Sequence, residues 1–207
     1  MTSEAPRRGR PPRPADQAEA RQRLIRAGLI HLTEKGYTAT GLDEILREAG
    51  VPKGSFYHYF DGKPGFGAAL IEAYHQYFAA RLNRFLTDET LPPLARLTAF
   101  TEDAEAGMAR HGFRRGCLVG NLGQEMGALP EDFRARLIAV LQDWQARTAT
   151  CLRAAQATGA LAGTADPDQL AAVFWIGWEG AVLRAKLERS ALPLRQFTQG
   201  FLALLRP

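Results

Sequence analysis

Residues 51–63, VPKGSFYHYFDGK, gather four aromatic rings and a histidine between Lys53 and Lys63, directly after an Ala-Gly-Val-Pro turn. A core disfavours the charged groups, and a solvated surface disfavours so many rings. Helical spacing resolves the conflict. Phe56 and Phe60 are four apart and share one face, while Lys53, Ser55, Tyr57, His58 and Tyr59 are spread over the remainder. Ammonium and phenol groups suit phosphate oxygens, and tyrosine ring edges suit sugars and thymine methyls.

A second cluster centres on Cys117, which follows Arg114 and Arg115 and lies six residues after His111. Two readings are open: a small buried hydrophobe, or a thiol made reactive because neighbouring cations lower its pKa. A reactive thiol would serve as a sensor of electrophiles or, in the rival class, as part of a helical enzyme using Cys117 and His111. Asn121 and Glu125, four apart beyond the cysteine, share a helical face that would tip a cavity with polar groups. Trp144, Phe174, Trp175 and Trp178 are either core, dimer interface or the wall of a small-ligand pocket. A carboxylate ligand requires a cation, for which Arg184 and Lys186 in WIGWEGAVLRAKL are candidates, as are Arg114 and Arg115.

These residues need helices to hold them. Leu24, Gly28 and Leu32 recur at helical spacing before Gly36, and Leu42, Ile45, Leu46 and Ala49 mark a short second helix stopped by Gly50. A third short helix is expected over Lys53 to Phe60, broken by Asp61-Gly62-Lys63-Pro64. A long amphipathic stretch then runs from Phe66 to Phe85. Further helices are expected from Pro93 to about Arg110, over 117–126, from Pro130 to about Thr158, from Asp166-Pro167 to about Arg189, and from Pro193 onward. No strand alternation of any length is present. The expected class is all-α, with three short helices in an N-terminal head and a helical C-terminal body.

Composition sets the limits. The 207 residues are 46% hydrophobic and 23% charged, with net charge +4, enough for a sizeable core and compatible with an anionic partner. No apolar run approaches the ~20 residues of a membrane span, and the basic N-terminus lacks the apolar segment of a secretory signal, so a cytoplasmic protein is expected. Two cysteines and four scattered histidines offer neither a disulfide framework nor metal-ligand spacing. The glycines of Gly65-Phe66-Gly67 and GCLVGNLG do not make a nucleotide loop, so no cofactor is expected. In the first fifteen residues Arg7, Arg8, Arg10 and Arg13 oppose only Glu4, and Pro6, Pro11, Pro12 and Pro14 argue against a helix there. Residues 1–19 are accordingly expected to be a flexible basic arm.

Two short helices joined at Ala49-Gly50-Val51-Pro52 have the form of a helix-turn-helix. Gly36-Tyr37, LDEILREAGV and KGSFYHYFDGK, in that order, resemble the DNA-binding head of the TetR family of bacterial repressors. The resemblance implies a head over residues 20–80 reading half of a palindromic operator, and an effector-binding and dimerisation domain over 81–207. It also implies a homodimer on double-stranded DNA, its recognition helices about one DNA turn apart, roughly 34–36 Å or a multiple. The family's DNA contacts fall on Lys53, Gly54, Ser55, Tyr57, His58, Tyr59 and Lys63. Gly41 stands where the family usually has Ser or Thr to start the second helix, and Thr40 is expected to cap in its place. HGFRRGCLVGNLGQEMG and WEGAVLRAK resemble a subgroup of acrylate-responsive and electrophile-responsive repressors. That second resemblance implies a small unsaturated carboxylate or electrophilic effector; the candidates weighed above for its site are Cys117, Asn121, Glu125, Trp144, Trp175, Trp178 and Arg184.

Overall fold

The computed structural model describes residues 14–205, which form nine α-helices, one short 3-10 turn and no strand. The head comprises α1 (Pro14–Lys35), α2 (Leu42–Ala49) and α3 (Lys53–Phe56). A long α4 (Gly62–Leu86) leaves the head and enters the body, which adds α5 (Pro93–Ala109), α6 (Leu118–Gln124), α7 (Asp132–Ala157), α8 (Pro167–Glu188) and α9 (Leu192–Leu204). The boundary expected at residue 80 falls inside α4, which belongs to both units. Residues 1–13 of the expected arm lie outside the described residues. Residues 14–19 are helical, contrary to the expectation of a flexible arm, because a proline is tolerated in the first turn, where its missing N–H has no partner to lose.

The head packs around aromatic rings that meet edge-on or tilted. Phe56 and Phe60 are buried with Ile45, Ala49 and Val51, and both rings meet Phe66 of α4, at 5.4 and 4.7 Å between centroids. Gly50 adopts φ +62, the left-handed conformation that closes α2; its N–H bonds to Arg47 O, and that of Val51 to Leu46 O. Arg23 Nε braces the same end by donating to Ala49 O at 3.1 Å. The third helix is shorter than expected. It ends at Phe56, and residues 57–59 continue as tight turns in which His58 N–H bonds to Ser55 O and Tyr59 N–H to Phe56 O.

The body is a helix bundle whose most extensive packing joins α7 to α8 and α8 to α9. Its centre is aromatic: Trp144 and Trp175 stand 4.9 Å apart by centroid, flanked by Phe78, Phe100, Phe174 and Trp178. The Trp175 indole donates to Thr148 Oγ1 at 3.0 Å, which satisfies its N–H inside the core.

Head and body meet where Tyr37 packs edge-on against Phe133 of α7, with Gly67 of α4 beside both rings. A Cβ at residue 67 would lie 2.5 Å from the Phe133 ring and 2.7 Å from Tyr37. Neither ring can yield without opening the joint. Gly67→Ala should therefore lose about 1–3 kcal/mol of stability, read from a urea titration, even though alanine is the better helix former.

Candidate functional site

One face of the head projects beyond the core. Tyr57 is 57% exposed, Lys53, Gly54 and His58 are exposed, and Ser55 and Tyr59 are half-buried. The rings that position this face, Phe56 and Phe60, are the buried half of the same thirteen residues. Lys53 reaches Asp43 at 3.3 Å; both groups are well exposed, so the pair holds the ammonium weakly. Lys63 is not on this open face. Its ammonium lies 4.5 Å above the Tyr37 ring, and burial lowers its pKa.

Thr40 departs from expectation. It is 1% exposed and donates its hydroxyl to Gly36 O at 2.6 Å, so it does not cap α2. Gly41 is the N-cap residue, and no side chain bonds to the first turn. Thr40 instead fastens the loop between α1 and α2 and presents no side chain to a partner.

That loop is the joint between head and body. The last carbonyls of α1 lack partners within the helix; the Gly36 N–H just beyond it reaches Leu32 O at 3.1 Å, and further donors come from the body. Asn121 of α6 supplies them, its amide donating to Leu32 O and Thr33 O at 2.9 Å each. Thr33 O also accepts from Gly116 N–H at 3.0 Å and from Lys186 Nζ at 3.2 Å. Beyond the helix end, Gly36 turns at φ +85 and aims the N–H groups of Tyr37 and Thr38 at the Glu125 carboxylate, at 3.0 and 2.7 Å. A Cβ at residue 36 would run into that carboxylate, so glycine is needed for room as well as for φ. Arg115 completes the joint through Glu34 at 2.9 Å. Asn121 and Glu125, expected in an effector pocket, are thus engaged by the head.

A cavity of about 190 Å³ lies beside this joint, between α4, α5 and α8 and behind the residues leading into α6. At ~30 Å³ per water it has room for about six waters, the scale of a ligand of few heavy atoms. Trp178, Phe78, Met108 and Val182 give it apolar walls, Arg81, Arg110 and Arg115 add positive groups, and His111 adds an imidazole. Cys117, Tyr74 and Glu179 adjoin one another on its lining, with the Cys117 thiol between the hydroxyl and the carboxyl. A Cβ at Gly120 would collide with the Glu179 carboxyl, so the glycine of α6 leaves the notch this side chain occupies.

Electrostatics here bear on the two readings of Cys117. Burial and then the neighbouring Glu179 push its thiol well above its ordinary value, which favours the small buried hydrophobe over a thiol made reactive by Arg114, Arg115 and His111. Arg115 is occupied by Glu34, and Arg114 is exposed. Burial also lowers the pKa of His111, with Arg115 adding to the effect. The thiolate that an enzyme using Cys117 and His111 requires is therefore disfavoured. Trp178 and Cys117 do line the cavity; Trp144 and Trp175 belong to the core behind it. Arg184 points away, exposed and paired with Glu188 one turn on at 2.7 Å.

Glu179 was not among the residues the sequence offered for the effector site, although an acidic residue inside WIGWEGAVL is the available signal. Burial raises its carboxyl to about 7, opposed by a hydrogen bond from Cys117, and it forms no ion pair among the described residues. A raised carboxyl pKa favours the fold below the unfolded value near 4.5, and this contribution is lost as pH rises through about 7. Glu179→Gln should match the parent at pH 5 and exceed it at pH 8 by up to about 3 kcal/mol, measured by urea unfolding at the two pH values.

The comparisons with known proteins agree with this layout. Residues 24–70 match the family described as "Bacterial regulatory proteins, tetR family", and residues 93–201 match "Tetracyclin repressor-like, C-terminal domain". The chain is 66% identical to transcriptional regulator AcuR of Cereibacter sphaeroides, over 95% of this chain and 90% of that one. It is 33% identical to the repressor DhaR of a Mycobacterium species, over 89% and 92% of the two chains. Among solved structures, a regulatory protein TetR from Rhodobacter sphaeroides superposes with TM-score 0.88 at 66% identity, covering 89% of this chain and 97% of that one. Reduced Escherichia coli NemR gives 0.81 at 32% identity, covering 88% and 95%. With head and body each matched in the order the helices run, the chain belongs to the TetR family of bacterial regulatory proteins.

Proposed function

We propose that the protein is a homodimeric, ligand-responsive transcriptional repressor, released from a palindromic operator when a short unsaturated carboxylate or electrophile of the acrylate type enters the cavity beside Cys117. The observation that carries this reading is the pairing of an exposed Lys53–Tyr59 face with a cavity adjoining the helix that grips the head. Lys53, Ser55, Tyr57, His58 and Tyr59 meet the DNA, with Gly54 allowing close approach. Lys63, in the first turn of α4, serves the head by covering Tyr37.

A dimer surface is supported by α8. Val173, Ile176, Leu183 and Leu187 are exposed at spacings of three, seven and four, with Ile176 74% and Leu187 79% accessible. Such a stripe on one helix face suits a second copy across a twofold axis.

Coupling follows from α6. Cys117 caps its start at the cavity, and Asn121 and Glu125 follow at its successive turns, holding the end of α1 and the loop after it. An effector that binds better to a displaced α6 shifts the dimer towards a head spacing that misfits the operator.

A gel shift against a palindromic upstream sequence should show saturable binding that weakens with salt; equal affinity for random DNA refutes the reading. Tyr57→Ala and Lys53→Ala should each weaken binding while leaving thermal stability within about 0.5 kcal/mol of the parent. Glu125→Ala differs from both. It removes two charge-assisted bonds, so it should cost about 1–3 kcal/mol of stability and shrink the effect of the ligand on operator affinity, measured by fluorescence anisotropy.

A further inference from the structure

Glu179 is a buried-end carboxyl whose surroundings offer it no counterion. Tyr74 of α4 and Cys117, at the start of α6, adjoin it; sharing the cavity lining with it are Tyr77 and Arg81 of α4, and Arg110, His111 and Arg115 from the turn after α5. Lys186 lies two turns along its own helix. The cations are engaged elsewhere: Arg81 with Asp103 at 2.6 Å, Arg115 with Glu34 at 2.9 Å, and Lys186 with Thr33 O at 3.2 Å. Arg110 is exposed at the rim and has no ion pair among the described residues. An isolated carboxylate in such a place is costly, whereas the neutral acid is a hydrogen-bond donor.

The rim and the floor therefore call for different things. The positive Arg110 at the rim draws in an anion, apolar walls of Trp178, Phe78 and Met108 accept a short hydrocarbon, and a neutral acid on the lining can donate to an oxygen. Ionised, the same acid would repel the anion that the rim attracts.

We propose that Glu179, in its protonated form, is the group that recognises the effector: it donates a hydrogen bond to the carboxylate of a short unsaturated acid, so binding takes up one proton from solvent. The assignment rests on the effector reading above and extends it to the residue that sets ligand class. The ligand's own carboxylate is ionised throughout the neutral range. His111, kept below its ordinary value by burial and by Arg115, is largely neutral above pH 7 and supplies no slope there. The Cys117 thiol and Tyr74 hydroxyl, raised by burial, also remain protonated.

Titration calorimetry of the full-length dimer with sodium acrylate at pH 6, 7 and 8, each in two buffers of different ionisation enthalpy, tests this. The affinity should fall about tenfold from pH 6 to pH 8, with proton uptake approaching one per site at pH 8. Glu179→Gln, folded by circular dichroism, keeps a neutral donor. Its affinity should stay within about twofold over the same range, without proton uptake. A flat parental profile, a variant that keeps the parental slope, or a folded variant that binds acrylate at no pH overturns the assignment. Operator release by acrylate without pH dependence refutes Glu179 alone; acrylate that neither binds nor releases the operator removes the effector reading as well.

Discussion

The end of α1 is the constraint on which the rest of the molecule depends. A helix that stops against another part of the protein must place its last carbonyls somewhere, because buried orphan groups each cost about 1–3 kcal/mol. Here they are placed across the boundary between head and body. The Asn121 amide, the Gly116 N–H and the Lys186 ammonium converge on Leu32 and Thr33, and the Glu125 carboxylate closes on the two N–H groups past Gly36. The head cannot tilt freely while those bonds hold. The energy at stake, a few charge-assisted hydrogen bonds, is of the size of ordinary allosteric couplings, about 1–3 kcal/mol.

The cavity exploits that economy. Its lining includes Thr33, Gly116 and Cys117, each adjoining or belonging to the same set of contacts. A ligand need not travel or unfold anything to be felt by the head. Glu179 adds a second condition, since its carboxyl occupies the notch at Gly120 and lies against Cys117. On the proposed reading, protonation, ligand contact and the position of α6 are settled within one small group of atoms.

How much of this was legible depended on the range of the interactions. The helix-turn-helix was readable because its logic is local: Gly50 at the turn, Phe56 and Phe60 on one face, Tyr57 on the other. The all-α class followed from periodicity in the same way. The contacts that escaped the sequence were those decided by a distant partner. Helical spacing correctly put Asn121 and Glu125 on one face, but only the fold shows that this face meets α1, some ninety residues earlier. Thr40 has the composition of a cap and spends its hydroxyl on Gly36. Arg184 and Lys186 are two residues apart and face different surroundings, one paired to Glu188 outside, the other bound to Thr33. The signs of pKa shifts were the least legible, because three cationic neighbours in sequence say nothing of how deeply Cys117 is buried.

The recognition helix itself shows why two connections to the body are needed. At four residues α3 is far too short to be stable alone, so its exposed groups are placed by what Phe56 and Phe60 touch. They touch Phe66, at the head end of α4. Eight residues later, about 12 Å along the same helix, Tyr74 reaches the cavity beside Cys117. Cys117 in turn begins α6, and Glu125 lies eight residues beyond it, holding the loop that precedes α2. The head is therefore gripped through its aromatic core by α4 and through its backbone by α6, and both grips start from the same pair of cavity residues. A change that moves only one of them must strain the other. Movement of the two together is a tilt of the whole head, which alters the spacing of paired heads without disturbing the ring packing inside either.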